Sequence, residues 1–146
     1  MKCKSVITVA IIMFTAILTS QQAKAEFAIC TEGSDQDSPA IYSDTVVWMY
    51  YRNGNHDIYG YDLLTDEEFA ICTAGSDQSS PAIYGDKVVW MDSRNGNGDI
   101  YGKDLSTSER FVICTEVNDQ GGPAIYGHTV VWQDERNDAG EKTSKP

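Results

Sequence analysis

Val88–Gly102 reads VVWMDSRNGNGDIYG, and Val46–Gly60 reads VVWMYYRNGNHDIYG. A third copy opens at Val130 as VVWQDERN and then departs. Phe27, Phe69 and Phe111 head the equivalent runs FAICT, FAICT and FVICT, so the period is 42 residues. Residues 27–68 and 69–110 agree at 31 of 42 positions, which excludes compositional coincidence. A period near 42 is that of four-stranded propeller blades, although helical arrays share similar lengths. The runs AIY, VVWM and DIYG are short, β-branched and aromatic, and Gly, Asn, Asp and Pro separate them. No helical apolar stripe runs through 26–146. The chain reads as all-β.

Each repeat supplies four strands, A to D. In the second copy these fall at Ala82–Tyr84, Lys87–Asp92, Asp99–Asp104 and Phe111–Thr115. Gly85-Asp86 is a two-residue hairpin link that tolerates positive φ. Residues 94–98 make the second link and 105–110 the third. Val88-Val89-Trp90 is apolar on consecutive residues, as expected of a sheet covered on both faces. Pro39, Pro81 and Pro123 are expected at the entry to strand A, where a missing N–H does least harm.

The string DQSSPAIYGDKVVWMDSRNGNGDIYGKDL (Asp77–Leu105) resembles the TolB-type propeller repeat. The pattern shared is a proline-led strand, a Gly-Asp turn, an apolar strand, an Arg-x-Gly loop and an Ile-Tyr strand ending in Asp-Leu. The wording is similar to repeats of prokaryotic cell-surface proteins, and the resemblance spans about residues 27–137. It implies a β-propeller and is silent on activity. Relatives implied by it carry six or seven repeats. This chain reads D, ABCD, ABCD, AB, about 2.5–3 blades with the ring not closed. The repeats are 27–68, 69–110 and an incomplete 111–146, in which Lys142-Thr143 replaces Ile-Tyr.

Residues 1–25 read as a signal peptide. Lys2 and Lys4 precede an apolar run from Val6 to Leu18, and Ala23-Lys24-Ala25 offers small residues for cleavage after Ala25. Export to the periplasm, cell surface or medium is expected, with 26–146 as the propeller segment. Of 22 acids all fall after Ala25, while three of the 11 bases precede it, so the mature charge is 8 − 22 = −14. Such a surface repels phosphate backbones and argues against nucleic acid. Cys30, Cys72 and Cys114 are equivalent by repeat and lie a whole blade apart, too far to bridge. They are expected as small buried hydrophobes.

Antiparallel alternation puts the B–C and D–A loops on one rim and the A–B and C–D loops on the other. The first rim collects Asp35-Gln36, Asp77-Gln78 and Asp119-Gln120, together with Asn53, Asn55, Asn95 and Asn97. These are the candidate binding residues. One reading is a polar face that holds a protein partner, or Ca²⁺ through oxygen ligands. The other is that each Asp caps its own loop. NGNHD and NGNGD lack the acidic spacing of an EF-hand loop, and a tight hairpin explains them equally well. Arg52, Arg94 and Arg136 recur at the loop entry, to pair with Asp across blades or to face solvent. His56 and His128 fall on opposite rims and cannot converge on one substrate. Trp48, Trp90 and Trp132 are expected in the core.

No nucleophile elbow or phosphate loop occurs. The expectation is therefore a non-enzymatic module, exported, that contacts a protein or envelope component. Self-association through open blade faces is expected as well. The alternatives are a fragment of a propeller-type polysaccharide lyase or hydrolase, and a truncated gene product without independent function.

Overall fold

The computed structural model describes residues 8–10 and 26–135. The rest of the proposed signal peptide, and the part of the third repeat from Arg136 onward, lie outside the described residues.

Twelve strands follow in order: β1 Thr8–Ala10, β2 Glu26–Ala28, β3 Gln36–Tyr42, β4 Thr45–Tyr51, β5 His56–Asp62 and β6 Glu67–Cys72. After them come β7 Gln78–Tyr84, β8 Lys87–Asp92, β9 Asp99–Asp104, β10 Arg110–Cys114, β11 Gln120–Tyr126 and β12 Thr129–Asp134. They form two complete four-stranded meanders, β3-β4-β5-β6 and β7-β8-β9-β10, and a two-stranded half-blade, β11-β12. Strand β2 is the outer strand of a preceding blade, paired with β1. The order is D, ABCD, ABCD, AB. All pairings are antiparallel, and among the described residues the sheets do not close into a ring.

Strand A is longer than the sequence suggests. It begins at Gln78 rather than Ala82, and the proline sits inside it at a bulge between Ser79 and Ala82. The same bulge recurs in β3 and β11. The residue before the proline takes positive φ in every copy: 52° at Ser38, 52° at Ser80 and 55° at Gly122. The bulge removes one residue from the ladder there, so the missing proline N–H breaks no pairing.

The two faces of each meander are both covered. In β8, Val88, Val89 and Trp90 are fully buried, as are Val46, Val47 and Trp48 in β4. One core joins Val47, Ile58, Ile71 and Cys72 of the first blade to Ile83, Val88 and Trp90 of the second. Another, on the opposite face of the first blade, joins Cys30 to Trp48, Tyr50, Tyr59 and Tyr61. Consecutive apolar residues in one strand thus serve two different interfaces. Cys30, Cys72 and Cys114 are buried and unbridged. At the inner ends of strand A, Tyr42, Tyr84 and Tyr126 stack in a row with ring centroids 4.7 and 4.9 Å apart.

Glycine has a packing reason in strand C. Gly60 and Gly102 face Phe69 and Phe111 across the C–D pair. A Cβ at Gly102 would lie 2.4 Å from the Phe111 ring, and one at Gly60 2.6 Å from the Phe69 ring. Phe lies flat over the strand only because nothing projects beneath it. Gly102→Ala is expected to cost about 1–3 kcal/mol in urea unfolding, the range for overpacking. In a Phe111→Leu background most of that cost is expected to vanish.

Candidate functional site

The rim assignments hold. Asn55, in the B–C loop, reaches the D–A loop at Ala74 and Ser76, while Leu63 of a C–D loop bonds Asp44 of an A–B turn on the other side. The polar rim is therefore built where a B–C hairpin meets the crossover that leads to the next blade.

The asparagines of the candidate set point inward as donors. Asn55 Nδ2 lies 2.9 Å from the Ala74 carbonyl, 2.8 Å from that of Ser76 and 3.0 Å from Asp57 Oδ1. Asn97 repeats this on Glu116 O at 3.1 Å, Asn118 O at 2.7 Å and Asp99 Oδ1 at 3.2 Å. Asn53 and Asn95 donate to the other carboxylate oxygen of Asp57 and Asp99, at 3.1 and 2.6 Å. Asp57 and Asp99 are buried. Burial pushes the Asp57 carboxyl above its ordinary range, against the pull of Asn53 and Asn55.

The Asp-Gln pairs divide by side chain. Gln36, Gln78 and Gln120 are fully buried as the first residues of β3, β7 and β11. Each donates its amide to a carbonyl of its own crossover loop: Gln36 to Ser34, Gln78 to Ser76, Gln120 to Asn118. Asp35, Asp77 and Asp119 are exposed. Asp77 Oδ1 accepts the main-chain N–H of His56 at 2.8 Å, and Asp119 Oδ1 that of Gly98 at 2.8 Å. The His56 N–H holds the Asp77 carboxyl below the ordinary carboxylate range, and its ring lies 3.2 Å away. Among the described residues no group of three His, Cys, Asp or Glu is placed to hold a metal ion.

Arg52 and Arg94 form their ion pairs within a blade, and Arg94 Nη2 also donates across blades to Cys72 Sγ at 3.5 Å, while Arg136 lies outside the described residues. Arg52 bonds Glu68 at 2.8 Å and lies over the rings of Tyr50 and Tyr59. Arg94 bonds Asp92 and lies over Tyr101. Asp92 is fully buried, and burial pushes its carboxyl up. Bonds from Arg94 and Trp90 more than offset this and leave it below the ordinary range. Sequence reasoning missed Asp92. Its signal was the exchange of Tyr50 for Asp92 beside an unchanged arginine.

Two hollows flank the half-blade. One of about 380 Å³ lies on the polar rim, lined by Met91, Gly98, Asp119, Gln120, Gly121 and Glu135. The other, of about 470 Å³, is lined mainly by apolar side chains, among them Phe111, Ile113, Ile125, Val130 and Trp132.

No protein-family profile matches the chain, and no curated protein matches it. Solved structures do. TolB from Acinetobacter baumannii superposes with a TM-score of 0.59 at 17% identity, over 72% of this chain and 27% of that one. A TolB structure from Agrobacterium tumefaciens gives 0.58 at 16% identity, over 67% and 36%. The chain has the fold of a TolB-like propeller segment. An acylaminoacyl peptidase also matches, with a TM-score of 0.53 at 17% identity over 63% and 16%. The chain therefore spans about a quarter to a third of the TolB structures and less of the peptidase, and the likeness is one of fold.

The asparagine bonds between the B–C and D–A loops have a measurable consequence. Asn55→Ala takes the side-chain donor from the Ala74 carbonyl, one of two from the Ser76 carbonyl and one of two from the buried Asp57, and is expected to cost about 1–3 kcal/mol of unfolding free energy. Asn53→Ala removes one bond to Asp57 and is expected to cost about 1 kcal/mol.

Proposed function

We propose that the chain is an exported, non-enzymatic propeller module that contacts a protein component of the cell envelope. The observation that carries this reading is how the polar rim is used. Asn55, Asn97, Asp77 and Asp119 are committed to main-chain groups of the fold. Apolar surface is what stands bare. Val131 is 59% exposed, whereas its repeat equivalents Val47 and Val89 are fully buried beneath the next blade. Tyr126 is 77% exposed at the end of the tyrosine row. Bare apolar surface of this kind marks contact sites, and a second copy of the chain is one partner such a face accepts.

The likeness to TolB structures supports the propeller module. The Lys2–Ala25 pattern supports export. The likeness to the peptidase supports the alternative of a segment within an enzyme, and His56 is the one histidine on the polar rim to test for it.

Fractionation of cells producing the full chain is expected to recover it from the envelope with Glu26 as its first residue. The purified protein is expected to turn over neither polyuronides nor peptides. Recovery in the cytoplasm with Met1 intact would overturn the export, and turnover lost in His56→Ala would overturn the non-enzymatic reading.

A further inference from the structure

The cleft beside the half-blade is lined by the equivalents of residues that strand C covers in the other two blades. In both complete blades the outer edge of strand B pairs with strand C in one register: Val47↔Gly60 and Met49↔Ile58, then Val89↔Gly102 and Met91↔Ile100. Among the described residues, no strand pairs with that edge of β12. The template sets Val131 opposite the glycine and Gln133 opposite the isoleucine.

Strand C also brings side chains. Tyr59 packs with Trp48 and Val46 in the first blade, with Leu63 against the same cluster. Tyr101 and Leu105 pack on the cluster of Trp90 and Val88 in the second. The equivalents of that pair in the half-blade are Trp132 and Val130. Both line the hollow of about 470 Å³, with Phe111 and Ile113 of β10 on its other wall. The hollow is thus the seat that a strand C tyrosine and leucine fill in the other two blades. The chain's own third copy has Lys142-Thr143 where the first two have Ile-Tyr, a pair that matches neither position.

We infer that the edge of β12 and this hollow form a docking site for an extended segment of a partner protein with the pattern Asp-Ile-Tyr-Gly-x-Asp-Leu. The partner strand adds to the sheet by main-chain bonds, and its tyrosine and leucine enter the hollow against Trp132, Val130, Phe111 and Ile113. Pairing with a strand edge supplies affinity and alternate side chains supply the choice of sequence. The site rests on the reading of this chain as a protein-binding module and names what it binds.

The probe is a labelled peptide with the sequence of Asn97–Thr107, NGDIYGKDLST, added to the purified protein. Saturable binding is expected by fluorescence anisotropy, with slowed amide exchange confined to Thr129–Asp134 and the walls of the hollow. A peptide carrying Tyr101→Asp is expected to bind at least about tenfold more weakly, the worth of one buried aromatic side chain. These changes sit in the peptide, so they leave the protein's folding untouched. Absence of binding at about 1 mM peptide, a bond of under about 4 kcal/mol, would overturn the inference. Equal binding of a scrambled peptide, or protection elsewhere, would do the same. Those results leave the fractionation and turnover outcomes standing, so the two readings fail separately.

Discussion

Two crossovers between blades, after β6 and after β10, are each fastened by one asparagine amide of the preceding B–C loop. Two carbonyls of the D–A loop face the B–C hairpin of the previous blade, whose asparagine amide reaches both, and main-chain groups of this kind are costly when left unpaired. Asn55 serves Ala74 and Ser76, and Asn97 serves Glu116 and Asn118. The return contact is a carboxylate on a main-chain N–H, Asp77 to His56 and Asp119 to Gly98. The buried glutamine that follows then ties the same loop to itself. With the crossover fixed, strand A of the next blade starts at a set height and angle. That places its apolar face on the core of Val47, Ile58, Ile71 and Cys72. The stacking of blades depends on this clamp, because a shifted crossover would displace the whole next sheet.

The two complete blades solve one local problem in different ways. Arginine at the start of the B–C loop lies over a strand C tyrosine in both. In the second blade its partner is the buried Asp92, which also accepts the Trp90 indole N–H at 3.1 Å. In the first blade Tyr50 occupies that position, and Arg52 turns to Glu68 instead. The buried Asp92 carboxylate is offset by the Arg94 cation beside it. Gly98 is held to glycine by space. A Cβ at Gly98 would fall 2.7 Å from the Gln120 carbonyl and 3.1 Å from Met91 Sδ.

The fold was legible because the repeat says it more than once. VVWM, DIYG and FAIC mark strands B, C and D, and their spacing sets the blade. Trp48 and Trp90 are core, as their place in strand B suggested. The length of strand A was not legible, since Ser-Pro reads as a strand entry and only the positive φ of Ser38 and Ser80 reveals a bulge. The roles of Asn53, Asn55, Asn95 and Asn97 were hidden for another reason. Sequence gives an amide its type and not its direction, and here all four turn their N–H groups into the fold. Their recurrence was nonetheless a signal. Asn55 and Asn97 recur in the two complete copies, whereas Ala139 stands at that position in the third, and what the complete copies share is packing against the next blade. The apolar seat against Trp132 and Val130 was not legible in the sequence and needed the second blade as a template.

The clamp is tested most directly by amide hydrogen exchange at His56 and Gly98. Both N–H groups lie in loop-to-strand junctions and owe their protection to a carboxylate from the following crossover. In Asp119→Ala the Gly98 amide is predicted to exchange about tenfold faster or more, the equivalent of one lost bond, while His56 and the β8 core amides keep their rates. An unchanged Gly98 rate in that variant, with the fold intact, would contradict the account.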